Sequence, residues 1–252
     1  MRVAAATLLG VLAAAGCGGA AAPQRPPRSF VAVAAPGPTA TAQRVGAAAP
    51  AAVPRGRWLT ARLRRPALMR ARPAGRVVGR LGTRTEFGSP KVVGVLRRRG
   101  GWLQVVAPER PNGRAAWIPA ADARLGATDV SIRVDRSART LTLLRGDRVL
   151  RRFAVAVGRP GTPTPLGRFA VTDLLRAGRP DSPYGCCALA LSGHQPRLVP
   201  GWPGGDRLAI HATPQVETIG RRASLGCLRA STRDVRALMR RVPLGAPVFV
   251  RR

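Results

Sequence analysis

The sequence predicts a mainly β chain: a small β-barrel, then a larger β domain with one or two short helices. Three observations carry this. Gly 29 and Pro 24 among 252 residues set turns at short intervals. Between the turns, apolar and polar residues alternate with the period of two that marks half-buried strands. Hydrophobic residues reach 45% but aromatics only 4%, so the core must be built from Val, Leu, Ala and Ile.

The elements follow in chain order. Met1-Arg2 and an apolar run from Val3 lead into Ala14-Ala15-Gly16-Cys17, the pattern of an export signal. It resembles a bacterial lipobox, with Ala14 where Leu is usual. Residues 1–16 are therefore expected to be a lipoprotein signal peptide and Cys17 the lipidated residue. An ordinary signal peptide with a chance cysteine is the alternative. The apolar run is short of the roughly 20 residues that a stable membrane span needs. Residues 17–56 are rich in Ala, Pro, Gly, Thr and Arg, with almost no aliphatic periodicity. Such a segment buries too little apolar surface to offset its ordering entropy and reads as a disordered tether.

Over residues 57–126, short apolar runs alternate with turns. Val77-Val78, Val92-Val93 and Leu103-Gln104-Val105 sit in such runs, and Arg99-Gly100-Gly101 and Pro111-Asn112-Gly113 are hairpin signals. The spacing fits a small β-barrel. Pro111 to Arg114, followed by Ala116-Trp117-Ile118-Pro119, resembles the end of a bacterial SH3-like domain. That resemblance implies either a packing module or a binder of wall peptide.

Residues 127–252 change pattern. Val130–Asp135 and Thr140–Leu144 alternate, Arg145-Gly146-Asp147 turns the chain, and a strand runs from Arg148 to Val157. These predict an antiparallel meander. Asp173 to Asp206 shows little periodicity and holds Pro196, Pro200, Trp202 and Pro203. A loop of that length is usually functional, here a lid or pocket wall. Ser231-Thr232-Arg233-Asp234 forms a capping box before Val235, Leu238 and Met239. Pro243 and Gly245 stop that helix, and Val248-Phe249-Val250 closes the domain as a strand.

Lys+Arg 43 against Asp+Glu 11 gives a formal charge of +32. Such a charge favours polyanionic surroundings. The arginines spread along the whole chain, which fits a basic protein in an anionic envelope better than a specific nucleic-acid binder. Four cysteines and two histidines, with no CxxC, fit neither a disulfide framework nor a zinc site. No cofactor or metal is expected.

The chemistry gathers near the end. Ile210-His211-Ala212-Thr213 precedes Ser224-Leu225-Gly226-Cys227-Leu228-Arg229. A free thiol titrates near 8.5, so a cysteine nucleophile needs a base, and histidine is suited to that. Small residues around Cys227 let backbone N–H groups face a developing oxyanion. The pattern reads as a cysteine acyl-transfer enzyme.

These residues carry a family resemblance. Thr164-Pro165-Leu166-Gly167-Arg168-Phe169, the segment from Tyr184-Gly185 to Ser192-Gly193-His194, and Ile210-His211 through Ser224-x-Gly226-Cys227-x-Arg229 resemble, in order, the catalytic domain of L,D-transpeptidases, which remodel bacterial peptidoglycan. The resemblance covers about half the chain. It implies a transpeptidase-type β-sandwich, with Cys227 as nucleophile and His211 as base. It further implies that a backbone carbonyl orients His211 and that the N–H groups of Leu225, Gly226 and Cys227 form the oxyanion hole. Ser224, Arg229, His194 and Tyr184 are candidate substrate-binding residues. Carbapenems, which acylate this family, would target Cys227. The departure is Leu225, where the family usually has His. Cys186 and Cys187 are expected to be buried thiols, because a disulfide between neighbours is strained.

The expected protein is thus a lipid-anchored envelope enzyme acting on peptidoglycan stem peptides, a monomer with no nucleic-acid partner. The alternatives are an L,D-carboxypeptidase, in which water resolves the thioester, and a non-catalytic wall-binding lipoprotein.

Overall fold

The computed structural model describes residues 30–32, 56–177, 181–201 and 204–252. The expected signal peptide, Cys17 and nearly all of the tether lie outside the described residues, as do Trp202 and Pro203. One stretch of the expected tether departs from disorder. Phe30–Ala32 (β1) is a strand, paired antiparallel with residues 175–177.

The chain is mainly β. A first, seven-stranded sheet comprises β2 (Trp58–Leu63), β3 (Ala67–Arg70), β4 (Val77–Leu81), β5 (Val92–Arg99), β6 (Trp102–Val106), β7 (Ala116–Pro119) and β8 (Ala123–Thr128). Its order is β4-β3-β7-β6-β5-β2-β8. Arg99 pairs with Trp102 across Gly100-Gly101, the tight hairpin the sequence signals. Alternation places Leu103 and Val105 of β6 in a core with Met69, Leu81, Val93 and Ile118.

The second sheet contains β9 (Val130–Asp135), β10 (Thr140–Arg145), β11 (Arg148–Ala154), β13 (Gly167–Ala177), β14 (Cys187–His194), β15 (Arg207–Ala212), β17 (Leu228–Ala230) and β18 (Pro247–Arg251). Two short strands, β12 (Val157–Gly158) and β16 (Arg222–Ser224), pair in parallel beside it. The order is β11-β10-β9-β18-β13-β14-β15-β17, with β1 added on β13. The closing strand β18 lies between β9, to which it is parallel, and β13. The long strand β13 serves two halves. Its first residues pair with β18, and from Val171 onward it pairs with β14. That leaves one edge of its far end open, and β1 covers it, as exposed strand edges require. Both halves contribute to a single core, including Ile132, Leu143, Val171, Leu189 and Ile210, which makes the domain a sandwich.

The helix α1 (Thr232–Met239) forms where the capping box predicts it. The N-cap Ser231 accepts the Asp234 N–H at 3.1 Å. Val235 and Leu238 bury against β14 and β15, and burial of each side chain is worth about 1.5–3 kcal/mol. This fixes the floor beneath the strand that carries His211.

The expected loop from Asp173 to Asp206 is mostly strand. It contains the end of β13 and all of β14. Ala188 to Gly193 of β14 are buried throughout, so neither face is polar and no alternation appears in the sequence. What remains as connection is the turn before Cys187 and the stretch after His194.

Candidate active site

Parallel pairing of β15 with β17 sets the site. His211 lies opposite Arg229, and Cys227 precedes β17 by one residue. In a strand, residues two apart share a face. The Arg229 charge acts on both His211 and Cys227, which gathers the three side chains at this sheet edge. Cys227 is half-buried and opens on a cleft lined by Tyr184, Gln195, Leu198, Asp206, Arg207 and Leu225. Of the 173–206 segment expected to be a loop forming a lid or pocket wall, Tyr184 and the stretch after β14 line this cleft.

His211 is buried, with 3% of its surface exposed. Its Nδ1 lies 2.6 Å from Ala212 O. A carbonyl only accepts, so Nδ1 carries the proton and Nε2 keeps its lone pair. This is the backbone-carbonyl orientation expected from the family resemblance. Burial lowers the His211 pKa to about 4, with the Arg229 charge adding to the drop and the Ala212 hydrogen bond opposing it. Burial pushes the Cys227 thiol up, against a hydrogen bond from the Ala209 backbone and the charge of Arg229. The thiol also donates to Arg207 O at 3.8 Å. Burial thus favours the neutral form of both the imidazole and the thiol.

Tyr184 packs its ring edge-on against His211, with centroids 4.9 Å apart. Burial, then the Cys227 charge, raises its pKa, while Arg229 opposes this. It forms part of the cleft wall. The Arg229 Nε is buried and has no hydrogen-bond partner among the described residues, which leaves a donor for a bound anion.

Four sequence expectations change. Ser224 is buried, at 1% exposure, and does not line the cleft. Its hydroxyl accepts the Gly226 N–H at 3.0 Å and donates to Cys227 O at 2.6 Å. It is an internal brace of the nucleophile turn, because a buried hydroxyl must be satisfied and the turn supplies both partners. The same bond occupies the Gly226 N–H, so of the three N–H groups expected to face an oxyanion only those of Leu225 and Cys227 have no partner among the described residues.

His194 is not in the donor pocket. Its backbone exchanges hydrogen bonds with the Asn112 side chain at 2.6 and 2.9 Å. Its Nε2 meets Pro108 O at 2.6 Å, and its Nδ1 lies 2.9 Å from Asp206. As the last residue of β14, it faces the first sheet and clamps the two together. The predicted Pro111-Asn112-Gly113 turn supplies the other half of that clamp.

Cys186 and Cys187 are joined in a disulfide. Cys186 lies in the turn that ends at β14, so the strand alternation that would send neighbouring side chains to opposite faces does not hold there. Gly185 of this turn sits so close to Ala212 that a Cβ would meet the Ala212 Cβ at 2.7 Å.

Sequence reasoning missed Gln195. Its Nε2 reaches the carbonyls of Thr162, Pro163 and Leu225 at 3.2, 3.3 and 3.1 Å. It thereby ties the nucleophile turn to the Thr-Pro-Leu-Gly loop. A lone glutamine after a strand carries no signal of this. Among the described residues, no group of three or more His, Cys, Asp or Glu side chains is placed to hold a metal ion.

Comparison with known proteins identifies the domain. The family model for the YkuD L,D-transpeptidase catalytic domain matches residues 129–250. YkuD of Bacillus licheniformis is 34% identical over 119 residues, covering 47% of this chain and 64% of the relative. YkuD of Bacillus subtilis (strain 168) is 34% identical over 121 residues, covering 48% and 65%. Both are provisionally named L,D-transpeptidases, and this chain spans less than two thirds of the length of either. Among solved structures, an L,D-transpeptidase from Mycobacterium smegmatis is similar at 20% identity, covering 57% of this chain and 76% of that one, with a TM-score of 0.40. Another from Mycobacterium tuberculosis H37Rv is similar at 20% identity, covering 55% and 72%, with a TM-score of 0.42. The structural likeness adds no weight at these scores, and the assignment rests on the family model and the curated relatives. Residues 129–250 of this chain match the model of the YkuD L,D-transpeptidase catalytic domain and are similar to the two YkuD relatives.

Proposed function

We propose that this chain is a peptidoglycan L,D-transpeptidase of the bacterial cell envelope, working through a Cys227 thioester. The observation that supports the reading is the Cys227 thiol opening on the cleft, with His211 and Arg229 paired behind it at the β15–β17 edge and the Arg229 charge acting on both. A donor stem peptide enters the cleft with a carboxylate toward Arg229. The Cys227 sulfur attacks the donor carbonyl while His211 Nε2 takes the thiol proton. The oxyanion faces the Leu225 and Cys227 N–H groups. The carbon–nitrogen bond to the terminal D-Ala breaks, and His211 returns the proton to that amine. An amine of a second stem then attacks the thioester, His211 takes a proton from it, and the thiol is regenerated as the carbon–sulfur bond breaks.

Intact-mass analysis after exposure to a carbapenem tests the acyl-enzyme. One adduct is expected on the protein and none on Cys227→Ala. Incubation with muropeptides then separates the outcomes. Cross-linked dimers support the transpeptidase. Trimmed monomers alone would reassign it as a carboxypeptidase, and neither product would favour the wall-binding lipoprotein. The anchor on Cys17 is part of the proposal: detergent-phase partitioning and globomycin-sensitive processing should both vanish in Cys17→Ser.

A further inference from the structure

Two bulges lie side by side next to the strand that faces the nucleophile. The register slips between Val171 and Asp173 in β13, and again between Ala190 and His194 where β14 meets β15. A bulge leaves ladder groups without their backbone partners, and buried carbonyls need a donor. One guanidinium meets that need. Arg207 donates to Leu191 O from Nε at 3.1 Å and from Nη2 at 2.6 Å, and to Thr172 Oγ1 from Nη2 at 2.9 Å. Its remaining arm, Nη1, pairs with Glu86, which belongs to the first sheet's β4–β5 connection. The neighbouring Thr85 donates to the buried Asp173 at the same docking point. The backbone carbonyl of this same Arg207 accepts the Cys227 thiol.

We infer that Glu86 and Arg207 are a positioning pair through which the N-terminal sheet sets the placement of the Cys227 thiol. The inference rests on the proposed role of Cys227 as nucleophile. Leu191 and Thr172 fix the guanidinium within the catalytic domain, and Glu86 fixes its open arm from outside it. With all arms held, the peptide of residue 207 is held too, and the thiol hydrogen bond has one direction. Neither side chain is freely solvated: Arg207 is 16% exposed and Glu86 32%. The ion pair is therefore less screened than an open surface bridge. Glu86 does not line the cleft. Its loss should act on orientation of the reacting atoms, not on substrate binding, and small misplacements there cost on the order of a hundredfold in rate.

The test uses the full chain with Glu86→Gln, Glu86→Asp and Arg207→Lys. Two readouts are taken beside thermal melting: carbapenem acylation, split into maximal rate and half-saturating concentration, and alkylation of Cys227 by iodoacetamide across pH. Glu86→Gln should lower the maximal acylation rate about tenfold or more, with half-saturation little changed. Its alkylation profile should move to lower pH. Loss of the carboxylate leaves Arg207 uncompensated, and loosening of Arg207 O frees the thiol, and both favour the thiolate. Glu86→Asp should recover part of the rate. Arg207→Lys keeps the charge but not the fork and should behave like Glu86→Gln. Should Arg207→Lys fail to fold, the two Glu86 variants carry the test. A lower melting temperature with both readouts unchanged in Glu86→Gln would reduce the pair to glue between the sheets and overturn the inference. If the unmodified protein is alkylated at Cys227 but not acylated by the carbapenem, the transpeptidase reading fails. The alkylation profile of Glu86→Gln then decides the positioning pair alone, supporting it if displaced and overturning it if not.

Discussion

Thr164 Oγ1 donates to Gly226 O at 2.8 Å across 62 residues of chain, and the same hydroxyl accepts the Gly158 N–H at 2.9 Å. The Thr-Pro-Leu-Gly segment is therefore a cradle for the nucleophile turn. Thr162 Oγ1 and the Arg159 N–H add contacts to Ser224 O at 3.3 and 2.9 Å. Two motifs far apart in sequence act as one site because one supplies the donors and the other the turn carbonyls.

That cradle makes Gly226 hard to replace. Its φ is +126°, and an added Cβ would meet Gln195 Nε2 at 2.2 Å. Gly226→Ala is expected to cost about 1–3 kcal/mol in stability from backbone strain and to slow carbapenem acylation strongly. Pairing it with Gln195→Ala removes the collision but not the strained φ. The double variant should recover only part of the loss. Wild-type acylation by Gly226→Ala alone would show that the turn geometry does not govern the nucleophile.

The buried neutral His211 also sets a pH dependence. Its folded pKa of about 4 lies below the unfolded value near 6.5. The unfolded chain takes up a proton first as pH falls. His211 therefore contributes stability above about pH 6.5 that is lost progressively down to about pH 4, on the order of 3 kcal/mol in all. Chemical denaturation across that range should show a steeper loss in the native protein than in His211→Gln. Parallel curves for the two would mean that His211 is not held neutral by burial.

How much of this was legible in the sequence follows from the physics of each part. The β9–β10–β11 meander has one face in the core and one toward solvent, so its alternation is written in the residues. The capping box at Ser231 is a local contact and is equally readable. Buried β14 has no polar face and looked like loop. His211 and Cys227 carry chemistry in their residue types and spacing. Gln195, Arg207 and Glu86 act through contacts made across the sheets, and no local pattern marks them. The place of His194 is hidden for the same reason: its partners Pro108 and Asn112 belong to the β6–β7 connection, far from it in sequence.

The Cys186–Cys187 disulfide gives a count that can be checked. In Cys17→Ser protein, native and unreduced, only Cys227 should titrate as a thiol; after reduction and unfolding, three should. The turn it closes packs on Ala212, whose carbonyl orients His211. Replacing both cysteines by Ser should therefore reduce acylation far less than Cys227→Ala does, since it leaves the nucleophile and base in place. Three titratable thiols before reduction would exclude the disulfide.

Leu225 is the position where this chain departs from the L,D-transpeptidase pattern its sequence resembles. Its side chain is half-buried in the cleft wall, and its carbonyl accepts Gln195 Nε2 at 3.1 Å. In the proposed mechanism the site uses the backbone of this residue, including the N–H offered to the oxyanion. Leucine cannot hold a proton or tune the thiolate, so in the proposed mechanism His211 carries the whole proton transfer. Loss of a general base typically costs 10²–10⁴-fold, and His211→Ala should fall near background. Leu225→His keeps the same backbone donors and is expected to retain the wild-type acylation rate or exceed it. The measurement is the carbapenem acylation rate across pH for the native protein and both variants. If Leu225→His loses most of its rate while folding normally, the side chain matters more than the backbone at this position. If His211→Ala reacts as fast as the native protein at pH 7, His211 is not the base.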